Sequence, residues 1–338
     1  MKNYKAIGKI GEGTFSEVTK MQSLRDGNYY ACKQMKQRFE SDRKSGSLAL
    51  ICELMDMNIY ELIRGRRYPL SEKKIMHYMY QLCKSLDHIH RNGIFHRDVK
   101  PENILIKQDV LKLGDFGSCR SVYSKQPYTE YISTRWYRAP ECLLTDGFYT
   151  YKMDLWSAGC VFYEIASLQP LFPGVNELDQ ISKIHDVIGT PAQKTLTKFK
   201  QSRAMNFDFP FKKGSGIPLL TTNLSPQCLS LLHAMVAYDP DERIAAHQAL
   251  QHPYFQEQRL SMTKEGLGAV WKRDPEALCR RAAAHSGHRQ LRLRGDHRAQ
   301  ALLSHILEQP VSSVTAPKDR FKMETTSLGE QREHGAAE

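Results

Sequence analysis

Apolar residues change their spacing several times along the chain. Residues 4–10, with Tyr4, Ile7 and Ile10, and the stretch running into Val18 have the short-period pattern of strands, separated by the glycine-bearing turn GEGTFSEV at 11–18. NYYACKQM at 28–35 reads as a further hairpin partner, with Tyr29 and Ala31 alternating ahead of Lys33. Residues 34–47 are polar and contain the turn signal RKSG, which predicts a solvated loop before an apolar strand, SLALICELM, at 47–55. The period then lengthens. Ser71 reads as the cap of a helix in which Ile75, Met79, Leu82, Leu86 and Ile89 share one face and Gly93 marks the end. Short apolar runs at 104–106 and 110–113 predict a hairpin, and DLWSAGCVFYEIAS at 154–167, apolar nearly all round, predicts a buried helix. Helix signals at 225–238, with Ser225 and Pro226 at the start, and at 241–250 complete the pattern near Phe255. From about 259 the chain turns rich in Arg, Ala, Gln and Ser and shows no second core, so 259–338 is expected to be a basic, largely disordered tail.

Composition narrows the class. The 338 residues, 41% hydrophobic and 25% charged, suit a soluble globular protein of roughly two domains plus a tail. No run of eighteen or more apolar residues occurs and the opening MKNYKAIGKI has no apolar signal segment, so a membrane partner is not expected and a cytoplasmic location is. Eight cysteines stand singly with no C-x-x-C pair, which argues against a disulfide framework or a zinc site. The formal charge of +11 is spread along the chain, so it argues for acidic or phosphate-bearing partners or plain solubility more than for a nucleic-acid surface.

The densest chemistry lies in HRDVKPEN at 96–103 and GDFGSC at 114–119. Asp98 stands beside Arg97, Lys100 follows two positions on, and Asn103 and Asp115 complete the set. Two acids, an amide oxygen and a cation suit a metal-bound polyphosphate next to a hydroxyl nucleophile. Upstream, Gly11 and Gly13 allow peptide N–H groups to approach phosphate oxygens, although Ser16 stands where a third glycine is usual. A dinucleotide site would need a helix directly after the glycines, and this segment runs strand–turn–strand instead. His88 and His90, two apart on a helix, do not share a face and are not a metal pair.

The spacing H-R-D-x-x-x-x-N followed by D-F-G resembles the catalytic and metal loops of protein kinases. The resemblance covers about 1–37 and 47–258. Lys100, two after Asp98, is similar to the serine/threonine class. The segment SVYSKQPYTEYISTRWYRAPE at 121–141, with a T-x-Y at Thr129, Glu130 and Tyr131, and the insert LFPGVNELDQISKIHDVIGTP at 171–191 resemble the CMGC group, which holds the mitogen-activated and male-germ-cell-associated kinases. The fold implied is α+β and two-lobed: a truncated, mostly antiparallel-β small lobe over 1–55 and a mainly helical large lobe over 56–258. A complete kinase carries a helix, with a glutamate for the lysine, and then a strand where this chain has the 14 residues 34–47. An average helix and strand together need about seventeen residues, so both are expected to be missing. Glu40 is then a loop residue, the sheet has four strands, and the uncovered face, including Phe116, is exposed or repacked and open to a partner or chaperone.

The resemblance also implies roles. ATP and Mg²⁺ are the cofactors. Ile10, Gly11, Glu12, Gly13, Val18, Ala31, Lys33 and Leu105 would surround the nucleotide, Glu53 and Met55 would present hinge backbone to the adenine, and Cys52 occupies the gatekeeper position. Asp98, Lys100 and Lys33 would be catalytic, and Asn103 and Asp115 would hold the metal. Asp154 would brace the H-R-D backbone and Arg243 would pair with Glu141. Partners implied are protein substrates with Ser or Thr acceptors and an upstream kinase acting on Thr129 and Tyr131, whose phosphates Arg97 and Arg120 would order. Nuclear or ciliary location follows by the same resemblance. The alternative is a non-catalytic kinase-fold binder or scaffold, since Lys33 without its glutamate is poorly positioned.

Overall fold

The computed structural model describes residues 3–13, 16–41, 44–129, 134–199, 208–217 and 224–261, with backbone alone for 37–41 and 44–47. These lie in one compact unit spanning 1–290; a second unit, 291–338, and the rest of the basic tail lie outside the described residues, as do Glu130 and Tyr131.

Four strands open the chain: Tyr4–Glu12 (β1), Ser16–Ser23 (β2), Tyr29–Ser41 (β3) and Lys44–Glu53 (β4), antiparallel in the order β1-β2-β3-β4. No helix separates β3 from β4, as expected. The polar stretch 34–47, however, is not a loop. β3 runs on to Ser41 and β4 starts at Lys44, so the two strands continue as a hairpin ribbon, with an irregularity between Gln34 and Arg38. Strands adjacent along the chain can pair through their backbones whatever their side chains, which is why polarity alone misread this segment. Val18 lies opposite Lys33, Lys33 opposite Leu50, and Ala31 opposite Cys52, so these side chains share one face. Met21, Tyr30 and Cys32 share the other, where Tyr4 meets the Tyr30 ring edge-on at 5.8 Å.

Below the sheet, Met57–Asn58 (β5) leads into a short helix, Ile59–Ile63 (α1), closed by a reciprocal Asn58–Glu61 cap. The long helix Glu72–Arg91 (α2) begins at Ser71, whose hydroxyl accepts from the Lys74 N–H, and buries Ile75, Met79, Leu82, Leu86 and Ile89. After Gly93 come Ile94–Phe95 (β6), Ile104–Lys107 (β7), Val110–Leu113 (β8) and Arg120–Ser121 (β9), which pair as β5-β7-β8 and β6-β9. Helices Pro140–Leu144 (α3), Met153–Ser167 (α4), Glu177–Ile188 (α5), Gln193–Phe199 (α6), Pro226–Met235 (α7) and Ala246–Ala249 (α8) complete the body. The last is shorter than the predicted 241–250, because the N–H groups of Asp241 and Arg243 close a turn onto Asp239.

The core centres on α4, buried from Met153 to Ala166, with Trp156 stacked on Phe172 at 5.4 Å. Gly159 sets how closely α7 approaches it: a Cβ there would lie 2.7 Å from Val236 Cγ1 and 3.0 Å from Met235 Cβ.

Candidate active site

The floor of the site is a backbone clamp built on Asp154. Placed in the first turn of α4 and fully buried, its carboxylate accepts from the N–H of His96 and of Arg97, each at 2.8 Å, and from His90 Nε2 at 2.8 Å. Burial alone would raise its pKa, but the bonds from His90 and His96 outweigh this and hold it below the ordinary carboxylate value. The clamp fixes Arg97 in the left-handed region, at φ 67°, and so turns the chain sharply into Asp98. His96 adds a second tie. Its Nε2 lies 2.8 Å from the Gly114 carbonyl, while the Asp98 N–H donates to Nδ1 at 3.3 Å. These partners specify the Nε2–H tautomer. The Asn103 carbonyl accepts from the Gly114 N–H at 2.8 Å, so the 96–103 and 114–119 loops are tied twice.

Asp98, Lys100 and Asn103 converge. Asp98 Oδ2 accepts from Asn103 Nδ2 at 2.9 Å and faces Lys100 Nζ at 3.1 Å. Asn103 Nδ2 also donates to the Asp98 carbonyl at 2.8 Å; with both amide protons so used, its Oδ1 points the other way. Among the described residues, Asp98 Oδ1 is buried and has no hydrogen-bond partner. A buried carboxylate oxygen without a donor is costly, about 1–3 kcal/mol, unless a donor arrives to meet it. Lys100 Nζ also lies 3.4 Å from Thr134 Oγ1.

Asp115, within the second loop, sits at φ 58° and accepts from Lys33 Nζ, on the sheet, at 2.5 Å. Burial pushes its carboxyl up, yet the Lys33 ammonium and the Gly117 N–H together bring it below the ordinary value. Lys33 therefore meets the sequence-predicted metal ligand, and among the described residues no helix lies between β3 and β4 to offer it a glutamate. Phe116, whose exposure or repacking was expected, is half-buried and packs edge-on against the His96 ring at 5.0 Å.

The sheet supplies the roof. Val18, Ala31 and Lys33 are half-buried, and Leu105 lies beneath on β7, where a Cβ at Gly114 would come within 2.9 Å of it. Ile10 is 51% exposed, so it covers little. The Gly13 N–H donates to the Ser16 carbonyl at 2.8 Å, which closes the glycine turn on Gly11 and Val18. Glu12 does more than lend backbone: its carboxylate lies between Lys9 and Lys36, at 2.7 Å from the latter, and Lys36 and Lys9 lower its pKa to about 2. Glu53 likewise pairs with Lys112 and, at 3.5 Å, with Lys107, which keep it ionised at lower pH. Cys52 is exposed and Met55 half-buried.

Two further features frame the site. Arg243 grips Glu141 with both nitrogens, at 2.6 and 2.9 Å, both side chains being buried, and its guanidinium also receives the Trp156 ring at 5.2 Å. Arg97 donates to the Ser118 carbonyl and, at 2.9 Å, to the Tyr149 hydroxyl, which donates in turn to the Thr129 carbonyl at 2.8 Å. Burial and the neighbouring Arg97 charge lower the Arg120 pKa. Tyr149 is the residue that sequence reasoning missed. No motif flags it, and only the folded chain brings it from 52 positions away onto Arg97. None of the helices among the described residues is long and apolar enough to cross a membrane.

Comparison with known proteins points one way. The profile of the protein kinase domain matches residues 39–255. The chain is 87% identical to the human MAPK/MAK/MRK overlapping kinase over 299 residues, covering 80% of this chain and 71% of that protein. It is 85% identical to the mouse protein of the same name, covering 78% and 70%. The rat Serine/threonine-protein kinase ICK is 38% identical over 285 residues, covering 76% of this chain and 45% of the relative.

Proposed function

Because this chain belongs to the protein kinase family, we propose that it transfers the γ-phosphoryl group of ATP to serine and threonine hydroxyls of protein substrates. The observation that carries this reading is the state of Asp98. One carboxylate oxygen is held by Asn103 and Lys100, while the other, buried, has no partner among the described residues and is the oxygen left to accept the proton of an incoming hydroxyl. Lys100, on the same carboxylate, is placed to offset charge on the group in transit. Asp115 and the Oδ1 side of Asn103 provide a carboxylate and an amide oxygen, a donor set that fits Mg²⁺ when phosphate oxygens and water complete it. Held by Asn103 and Asp115, Mg²⁺ would supply positive charge to offset that of the phosphates. Lys33 reaches the same place from the sheet and, on leaving Asp115, can meet the α- and β-phosphates. Glu53 and Met55 offer hinge backbone to the adenine, under Ile10, Val18 and Ala31 and over Leu105.

In this reading residues 1–55 are a shortened small lobe and 56–258 the large lobe. Thr129 is exposed, and a phosphate on it would lie near the Arg97 and Arg120 guanidinium groups, so an upstream kinase acting on Thr129 and Tyr131 could order the segment. A second reading, a non-catalytic kinase-fold binder, draws on the Lys33–Asp115 contact, which engages two site residues with each other.

The test is phosphoryl transfer to a Ser/Thr peptide library by the full chain and by Asp98→Asn. Loss of the general base should lower turnover about 10²–10⁴-fold. Equal phosphate incorporation by the two proteins, or none by the parent, would refute the catalytic reading.

A further inference from the structure

We propose that Tyr149 is a positioning residue for phosphoryl transfer: its hydroxyl ties residues 126–129 to Arg97, beside Asp98, through phenol and backbone groups alone. This role presupposes the catalytic reading above and adds to it the group that holds the T-x-Y segment against the catalytic loop.

Residues 147–149 form a seat for that segment. The Gly147 carbonyl accepts from the Tyr128 N–H at 2.9 Å, the Tyr149 carbonyl accepts from Gln126 Nε2 at 2.8 Å, and the Tyr149 hydroxyl donates to the Thr129 carbonyl at 2.8 Å. The Tyr128 ring packs against Phe95 at 5.4 Å and against Tyr149 at 5.3 Å. Glycine is required at 147. Its φ of 90° lies in the left-handed region, and a Cβ there would come within 2.1 Å of the Tyr128 carbonyl oxygen.

On its other side the Tyr149 hydroxyl meets a charge. It accepts from Arg97 Nη1 at 2.9 Å, both side chains being buried, while Arg97 Nε donates to the Ser118 carbonyl. A buried guanidinium needs acceptors, and a phenol can accept from it and donate to a carbonyl at once. Phenylalanine can do neither, and a carboxylate cannot donate. Burial raises the Tyr149 pKa more than the Arg97 charge lowers it, so the proton given to Thr129 is kept.

Arg97 immediately precedes Asp98, and its backbone makes the turn that presents the carboxylate. Thr134, on the far side of residues 130–133, has its Oγ1 3.4 Å from Lys100 Nζ. The segment therefore meets the catalytic loop on both sides of 130–133. Without the Tyr149 hydroxyl one of these ties is lost, and Asp98 is free to shift against an acceptor hydroxyl. The nucleotide residues Ala31, Lys33 and Glu53 lie apart from it, on β3 and β4. A phosphate on Thr129 would bring anionic oxygens towards the same guanidinium and replace the missing tie.

Steady-state transfer to a Ser/Thr peptide by the full chain and by Tyr149→Phe, each with threonine or phosphothreonine at 129, tests this. The unphosphorylated variant should lose about tenfold to a hundredfold in kcat, the cost of a misplacement on the order of 1 Å, with KM for ATP unchanged. Phosphothreonine should restore most of that loss and stimulate the parent less. A lowered unfolding temperature with unchanged kcat would show a merely structural tyrosine and overturn the proposal, as would equal stimulation of both proteins by the phosphate. If Tyr149→Phe does not fold, hydrogen exchange in the unphosphorylated parent decides: the Tyr128 amide should be protected, and exchange at the rate of an unstructured amide would overturn the proposal. Absence of transfer by the parent would remove the catalytic reading and this role with it, whereas parental turnover in the phenylalanine variant would overturn the role of Tyr149 alone.

Discussion

Asp154 shows what one buried carboxylate does for the site. It takes three donors, two of them backbone N–H groups of the turn that presents Asp98. In Asp154→Asn one acceptor becomes an NH₂ facing a donor, and an unmet buried group costs about 1–3 kcal/mol. Urea unfolding should show that loss at neutral pH. Because the folded pKa is below the ordinary 3.8, the carboxylate's contribution is complete above that value and disappears as pH falls through the lower folded one. Asparagine does not titrate, so the difference between the two proteins should shrink in acid below about pH 4; an unchanging difference would show that the carboxylate charge is not what is used. At this scale the sequence was most informative. Asp98, Lys100, Asn103, Asp154 and the Arg243–Glu141 pair all stand in recognisable local patterns and meet as the patterns imply. Tyr149 and the Lys33–Asp115 pair were not legible, because each depends on which distant neighbour folding delivers.

Among the elements, α2 and α4 were legible because burial writes a period into a helix: one apolar face in α2, all faces in α4. The β3–β4 ribbon was not. Its far half, QRFES in β3 against KSGS in β4, has no apolar alternation to read, and pairing there follows from adjacency along the chain. Helix packing offers a sharper test at Gly159. Alanine is the better helix former by about 1 kcal/mol, so propensity alone predicts a gain from Gly159→Ala. The new methyl would meet Val236 and the Met235 Cβ, neither of them the free end of a flexible chain, and overpacking of this kind costs about 1–3 kcal/mol. The urea midpoint should therefore fall at unchanged slope. A raised midpoint would show that α7 can move outward at little cost.

For the whole molecule, the question is how a sheet without its bracing helix communicates with the helical body. The Lys33–Asp115 pair joins them, and both side chains are partly open to solvent, so its share of stability is only about 0–1 kcal/mol. Its value lies in where it places Lys33. Lys33→Met should consequently leave unfolding without nucleotide close to that of the parent, yet weaken the response to Mg-ATP. A ligand at about a hundred times its dissociation constant stabilises the folded state by roughly 2.7 kcal/mol, and the parent should approach that gain. At the same nucleotide concentration the methionine variant should gain less, since no cation faces the phosphates from the sheet. Chelating Mg²⁺ should reduce the parent's gain as well, because Asp98 and Asp115 then oppose the triphosphate uncompensated. Equal gains in the two proteins would place the phosphates away from Lys33. No gain in the parent at millimolar nucleotide would leave the large body as a docking surface, and the unpartnered oxygen of Asp98 without a hydroxyl to receive.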